Sequence, residues 1–212
     1  YAADVNETKA LGSATSTVRT AEQTEIARFN TESPATFQPR NMRSFAMTGR
    51  TTAEHARLMA MVFVTQADAG NTCFESKYHY QFWRPSSAIT LAHTDGNDAT
   101  VVDAAWTPIV ATPNHPEYPA AHACITSAMA EVLRAYYGTP NITFEYTSTV
   151  TGTTRKFTNT ASLVDETEIA RRLTHLYRPY PAAHSRLPPR PPATVARAPP
   201  RSPPPPPGRH PP

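Results

Sequence analysis

Lys77, Arg84 and His122 are the residues whose types and spacing combine most directly into chemistry. Lys77 and Arg84 bracket the run K-Y-H-Y-Q-F-W-R-P at 77–85. A separation of seven residues is about two helical turns, so on one helix both cations leave the same face and can converge on one anion. Pro85 lacks an N–H and disfavours helical geometry in the residue before it, which predicts a helix ending at Arg84 with that side chain at its rim. Tyr78, Tyr80, Phe82 and Trp83, lying between the cations, predict an aromatic, dry surround. The plain alternative for two cations so spaced is a solvated face. His122 ends the run P-E-Y-P-A-A-H at 116–122 and falls in the first turn of a predicted helix. There the free backbone N–H groups, including that of Ala121, and the positive dipole end favour an anion. The plain alternative is a histidine that caps the helix.

The elements that must position these groups are mostly helical. Residues 1–19 are polar and poor in large apolar side chains, which predicts an extended arm with a turn at Gly12. Thr20 and Gln23 have the spacing of a capping box opening a short helix to about Asn30. Residues 33–38 read as a loop, with a fragment of helix around Met42 to Met47. A main helix begins at Thr51 with Glu54 as its capping partner, and Gly70-Asn71 predicts a kink or a break before the part that carries Lys77. Residues 86–119 form a long segment of turns; Asp95, Asn97 and Asp98 have the residue types of a calcium loop, but a simple turn fits them better. Pro119 stands where the first turn of a helix tolerates it. The following helix runs to Tyr137, stops at Gly138 and has Ile125, Met129, Val132, Leu133 and Tyr136 as its apolar stripe. Residues 143–150 and 153–158 predict a small hairpin around Thr151-Gly152. Ser162 or Asp165 then caps a last helix ending near Leu173.

Composition excludes several classes. The formal charge is +3 over 212 residues, but all 17 acidic residues lie at or before Glu168, whereas six arginines follow residue 172. The body is therefore slightly acidic, which argues against nucleic acid as a partner. No apolar run approaches the ~20 residues that span a bilayer, so no membrane segment is expected. The chain has neither an initiator Met nor a recognisable signal peptide, and the N-terminus reads as a cut. Cys73 and Cys124 have neither C-x-x-C nor metal spacing and read as buried free thiols. Three regions follow: 1–19 as the arm, 20–178 as a partial helical domain, and 179–212 as a tail. Fifteen of the 23 prolines lie from Pro179 onward, with no acidic residue, which predicts a disordered segment of polyproline II character.

K-x6-R-P followed by P-x-x-H resembles the first two signature motifs of the vanadium-dependent haloperoxidase and type 2 phosphatidic acid phosphatase superfamily. A-D-A-G at 67–70, F-W-R-P at 82–85, D-G-N at 95–97, W-T-P at 106–108 and T-P-N-H-P-E-Y-P at 112–119 resemble its soluble bacterial haloperoxidase branch. The resemblance covers about residues 8–171 and implies an all-α helical bundle, here incomplete and carrying a small β-hairpin. It also implies an oxyanion site in which Lys77, Arg84, the Ala121 amide and Arg171 hold vanadate or phosphate, with His122 as the acid–base group.

Two departures from the family pattern bear on activity. P-A-A-H replaces P-S-G-H, so Ala120 lacks the hydroxyl that donates to the oxyanion, a loss of about 1.5–3 kcal/mol, and Ala121 adds a Cβ. The third motif, R-x5-H-x3-D, continues from Arg171 to Tyr177 and Pro181 where its histidine and aspartate belong; His175 and His184 stand at other spacings. The resemblance thus implies oxidation of halide by hydrogen peroxide at bound vanadate, impaired by the missing axial histidine. A soluble phosphatase acting on phosphate esters in the same pocket is the enzymatic alternative. A non-enzymatic oxyanion-binding remnant, or a scaffold whose P-x-x-P tail docks SH3-like partners, is the other. The abrupt change after Arg172 is also what a shifted reading frame in a GC-rich gene produces.

Overall fold

The computed structural model describes residues 1–42 and 50–174, so the expectations for 43–49 and for the proline-rich tail fall outside the described residues. The fold is all-α with a small antiparallel hairpin. Its helices are α1 (Ala2–Gly12), α2 (Ala21–Phe29), α3 (Pro34–Met42), α4 (Thr52–Tyr80), α5 (Pro85–Thr90), α6 (Ala121–Tyr137) and α7 (Thr160–Thr174). The hairpin joins β1 (Phe144–Thr147) to β2 (Thr154–Phe157), with Phe144 opposite Phe157 and Thr147 opposite Thr154.

Local chemistry explains where several elements begin and end. Both capping boxes are present: Thr20 with Gln23 opens α2, and Thr51 with Glu54 opens α4. Gly138, at φ 69°, closes α6 in the left-handed region. The last helix starts earlier than Ser162 or Asp165 predicts, because Asn159 Oδ1 accepts from the Ser162 N–H at 2.8 Å. Pro119 lies outside α6 in a cis peptide bond with Tyr118, and Ala120 is the N-cap, without a side-chain cap bond. Asp95–Asn97 is an Asx turn in which Asp95 Oδ1 accepts from the Asn97 N–H at 2.8 Å.

Four expectations need correction. Residues 1–19 are not an extended arm, since α1 packs on α5 and α7 through Val5, Thr8 and Gly12. That buried stripe has helical spacing but is built of small or polar residues, so it carries no hydrophobic signature. Of residues 33–38, expected as a loop, all but Ser33 belong to α3. Pro34 opens that helix where an N–H has no partner anyway, and Pro39 sits inside it. Tertiary contacts override the proline: Phe37 and Met42 are buried in the core, and Gln38 Oε1 accepts from the Tyr146 hydroxyl at 2.8 Å. Helix α4 runs unbroken through Gly70-Asn71. It also ends at Tyr80, not Arg84, because Gln81 turns left-handed at φ 47°.

The core lies between α4, α6, α7 and the hairpin. Leu58 and Val62 of α4 meet Met129 and Leu133 of α6, with Phe144, Tyr146 and Phe157 covering them. The Phe144 and Phe157 rings stack with centroids 5.2 Å apart. A second, smaller cluster gathers Val5, Ala88, Ile89 and Trp106, with the Trp106 indole N–H donating to the Lys9 carbonyl at 3.0 Å. This cluster anchors the segment after α5 to α1. Among the described residues no helix is long and apolar enough to cross a membrane.

Gly12 is where α1 closes on α7, since a Cβ there lies 2.7 Å from the Leu173 carbonyl oxygen. Gly12→Ala must push backbone from backbone, so urea unfolding is expected to show a loss of about 1–3 kcal/mol. An unchanged or raised stability overturns that account of the α1–α7 contact.

Candidate functional site

Arg84 is the N-cap of α5, with Pro85 at the first helical position. Lys77 and Arg84 therefore do not share a helix face. They converge because the chain reverses at Gln81 and residues 115–117 pass between the two side chains. Lys77, 1% exposed, donates from Nζ to the carbonyls of Pro116 and Glu117, each at 2.8 Å. Arg84 donates from Nε to the His115 carbonyl at 2.7 Å and from Nη1 to Glu117 Oε2 at 2.7 Å, with Nη2 2.8 Å from His115 Nδ1. The intervening aromatic residues do not line a dry pocket either: Tyr78, Tyr80 and Phe82 are exposed, and only Trp83 packs inward, on the second cluster.

Glu117 is the buried anion of this arrangement. Burial pushes its carboxyl up to about 7, while the neighbouring Arg84 and Lys77 charges pull the other way. Burial is also the largest influence lowering Lys77, followed by repulsion from Arg84. The positive charges of the K-x6-R-P motif thus have a protein carboxylate as their counter-ion.

A second set of groups comes from other helices. Arg171, on the last turns of α7, is 7% exposed and donates from Nη2 to the Asn30 carbonyl at 2.7 Å. Its Nη1 lies 3.5 Å from His122 Nδ1. Burial lowers Arg171 to about 10, so it stays cationic at neutral pH. Burial and then the Arg171 charge push His122 down to about 3, against the opposing influence of the Glu32 backbone. His122 is therefore neutral at neutral pH, and a guanidinium facing Nδ1 fits the tautomer with its proton on Nε2. His122 Nε2 and Arg171 Nε are buried without a hydrogen-bond partner among the described residues.

A cavity of about 370 Å³ joins these groups, lined by Arg28, Arg84, Ser86, Trp106, His122 and Arg171 with the 108–113 segment. Its lining brings together arginines from α2, the start of α5 and α7, and the histidine of α6. Of the expected residues, Arg84, His122 and Arg171 line it. Lys77 does not, and neither does Ala121, which is the first residue of α6. Tyr177 lies outside the described residues. Arg28 and Glu117 were not singled out from sequence: Arg28 has no local signal on a short polar helix, whereas Glu117 stands in view between the prolines of P-E-Y-P. Two orphaned buried donors beside three cations can take a tetrahedral oxyanion, the guanidinium forks matching its oxygens. Among the described residues there is no cluster of three or more His, Cys, Asp or Glu side chains that could hold a metal ion.

Comparison with known proteins shows the family of the fold. Residues 57–177 match a family model described as the VCPO second helical-bundle domain. Vanadium chloroperoxidase of Curvularia inaequalis is 32% identical over 95 residues, covering 40% of this chain and 15% of that protein. The crystal structure of the first bacterial vanadium-dependent iodoperoxidase superposes with a TM-score of 0.61 at 24% identity, over 73% of this chain and 38% of that one. The chain thus spans well under half the length of these two relatives, and the likeness to the second is one of fold.

Glu117 dictates a pH dependence. With its carboxyl raised from 4.5 to about 7, its contribution to stability is complete below about 4.5 and lost as pH rises through about 7. His122, lowered from 6.5 to about 3, acts in the opposite sense, its contribution being lost as pH falls below 6.5. Subtracting the pH profile of Glu117→Gln from that of the parent isolates the first effect. The expected difference is a decline of order 3 kcal/mol across this window, measured by urea unfolding between pH 4 and pH 8. A flat difference profile means that Glu117 titrates as an ordinary carboxylate.

Proposed function

The chain belongs to the family of the VCPO second helical-bundle domain, and from that premise we propose that it is a vanadium haloperoxidase-like protein that binds vanadate between Arg84, His122 and Arg171, with halide oxidation by hydrogen peroxide impaired in this chain. The observation that carries the reading is the cavity whose lining is shared by Arg28, Arg84, Arg171 and a neutral, buried histidine, with the Arg171 guanidinium facing that histidine. The donor set fits the group, since vanadate is a tetrahedral oxyanion and His122 Nε2 and Arg171 Nε lack partners. Bound vanadate supplies the activation of peroxide toward halide.

The residues of this chain bind, orient and hold a proton. Arg84 and Arg171 neutralise the anion and fix its orientation, with Arg28 adding charge from the more exposed side of the cavity. His122 presents Nε2 as donor or acceptor. An anion beside it favours the imidazolium and raises its pKa from the low value that burial and Arg171 impose, toward the range in which it exchanges protons. Lys77 positions the site by holding residues 116 and 117 through their carbonyls. Impairment follows from sequence, because Tyr177 stands where the resemblance places the histidine that would bind vanadium.

Two measurements test this reading. Calorimetric titration of the full chain is expected to show vanadate and phosphate competing for one site. Arg28→Ala should weaken both several-fold, and Ala120→Ser should strengthen both about tenfold or more by restoring a hydroxyl donor. The same serine should add about 1 kcal/mol of stability as a cap of α6. If neither oxyanion binds, the site assignment fails. Bromide oxidation with saturating vanadate and peroxide should stay near background; turnover comparable to an intact haloperoxidase removes the impairment, and hydrolysis of a phosphate monoester instead favours the phosphatase.

A further inference from the structure

Cys73 and Cys124 are the only cysteines in the chain, and the fold brings them together beside the site without giving them a part in it. Cys73 lies on α4, one helical turn before Lys77, and is buried. Cys124 lies in the first turns of α6, two residues after His122, and is half-buried. The two thiols are close enough that each is the first influence on the other's ionisation, and Cys73 Sγ faces the Pro119 carbonyl oxygen as donor at 3.6 Å. The helices are close at this level, since a Cβ on Gly70, three residues before Cys73, is only 3.9 Å from Ile125 Cδ1 of α6.

We infer that Cys73 and Cys124 form a peroxide-oxidisable pair, which hydrogen peroxide converts to a disulfide tying α4 to α6 next to the anion site. Cys124 is the attacking sulfur. The neighbouring Cys73 thiol is the largest influence bringing its thiol down to about 7, and the Lys77 ammonium acts in the same direction. The opening turns of α6 add their dipole. Cys73 is the resolving thiol, its proton held by the Cys124 contact and by burial.

The chemistry balances with one peroxide. The Cys124 thiolate attacks an oxygen of hydrogen peroxide; an S–O bond forms, the O–O bond breaks, and hydroxide leaves to take up a proton as water. The Cys73 sulfur then attacks the sulfenic acid; an S–S bond forms, the S–O bond breaks, and a second water leaves with the Cys73 proton. The two sulfurs together lose two electrons and the peroxide is reduced to two waters. Oxidation also removes the S–H that faces Pro119, two residues before the α6 helix begins. The step needs no vanadate, so it stands or falls separately from the oxyanion reading.

The test uses the reduced full chain with added hydrogen peroxide at pH 7. The expected product is monomeric on a non-reducing gel, has no free thiol and has lost two hydrogens by mass, with 73 and 124 in one disulfide-linked peptide pair. It should form several-fold faster in the native protein than in urea, and raise Tm by roughly 5–10 °C in a manner reversed by dithiothreitol. Cys73→Ser should stop at an oxygenated Cys124, and Cys124→Ser should leave Cys73 reduced over the same time. Two thiols that survive in the native chain, disulfide-linked dimers, or a Cys124→Ser chain that oxidises at the parental rate would each overturn the proposal.

Discussion

The buried contact between Arg84 and Glu117 is the interaction on which the rest of this site depends. Both side chains are nearly sealed from water, at 8% and 1% exposed. Two charges held there lose several kcal/mol each of hydration, which only good geometry and further hydrogen bonds offset. The chain supplies both. The Arg84 guanidinium is taken up by the Glu117 carboxylate, the His115 carbonyl and His115 Nδ1, while Lys77 grips the carbonyls on either side of the 116–117 peptide bond. A three-residue stretch of irregular backbone is thereby fixed between the end of α4 and the start of α5. The same stretch leads directly into Tyr118, Pro119 and the cap of α6, so the clasp sets where His122 stands.

From this follows a division of labour among cations that look alike. Lys77 and Arg84 hold the protein to itself, whereas Arg171 faces His122 and Arg28 stands exposed at the edge of the cavity. Arg171 is brought in by packing of α7 against α2 and α6, and its one short bond, to the Asn30 carbonyl, ties it to the end of α2. A guanidinium so placed depresses the pKa of the neighbouring histidine. Together with burial it keeps His122 neutral at neutral pH.

Family membership and extent of match have different weight. The family model covers residues 57–177, which hold most of α4 and all of α5, α6 and α7, whereas Arg28 of the cavity lies outside it. The relatives compared are much longer than this chain, and their activities belong to whole proteins of which this is a fraction. What the family membership carries over is the helical fold.

The sequence by itself determined the segments whose ends are set locally. The capping boxes at Thr20 and Thr51, the stop at Gly138, the apolar spacing of Met129 and Leu133 and the hairpin around Thr151-Gly152 all follow from neighbours within a few residues, and the structure agrees. The motif residues Lys77, Arg84, His122 and Arg171 were legible as types at a spacing. Tertiary structure alone decided what they do. Two helical turns between Lys77 and Arg84 implied a shared face, yet a left-handed Gln81 breaks the helix between them, and convergence comes from a segment over thirty residues downstream. The helicity of 2–12 and 34–42 was likewise hidden, because small buried residues in one and two prolines in the other mask the period that packing enforces. Arg28 joins the cavity, and Cys73 meets Cys124, through helix packing that no local pattern records. Burial settles the rest: a glutamate between two prolines and a histidine near a helix start become, once sealed from water among cations, a carboxyl near pH 7 and a neutral imidazole.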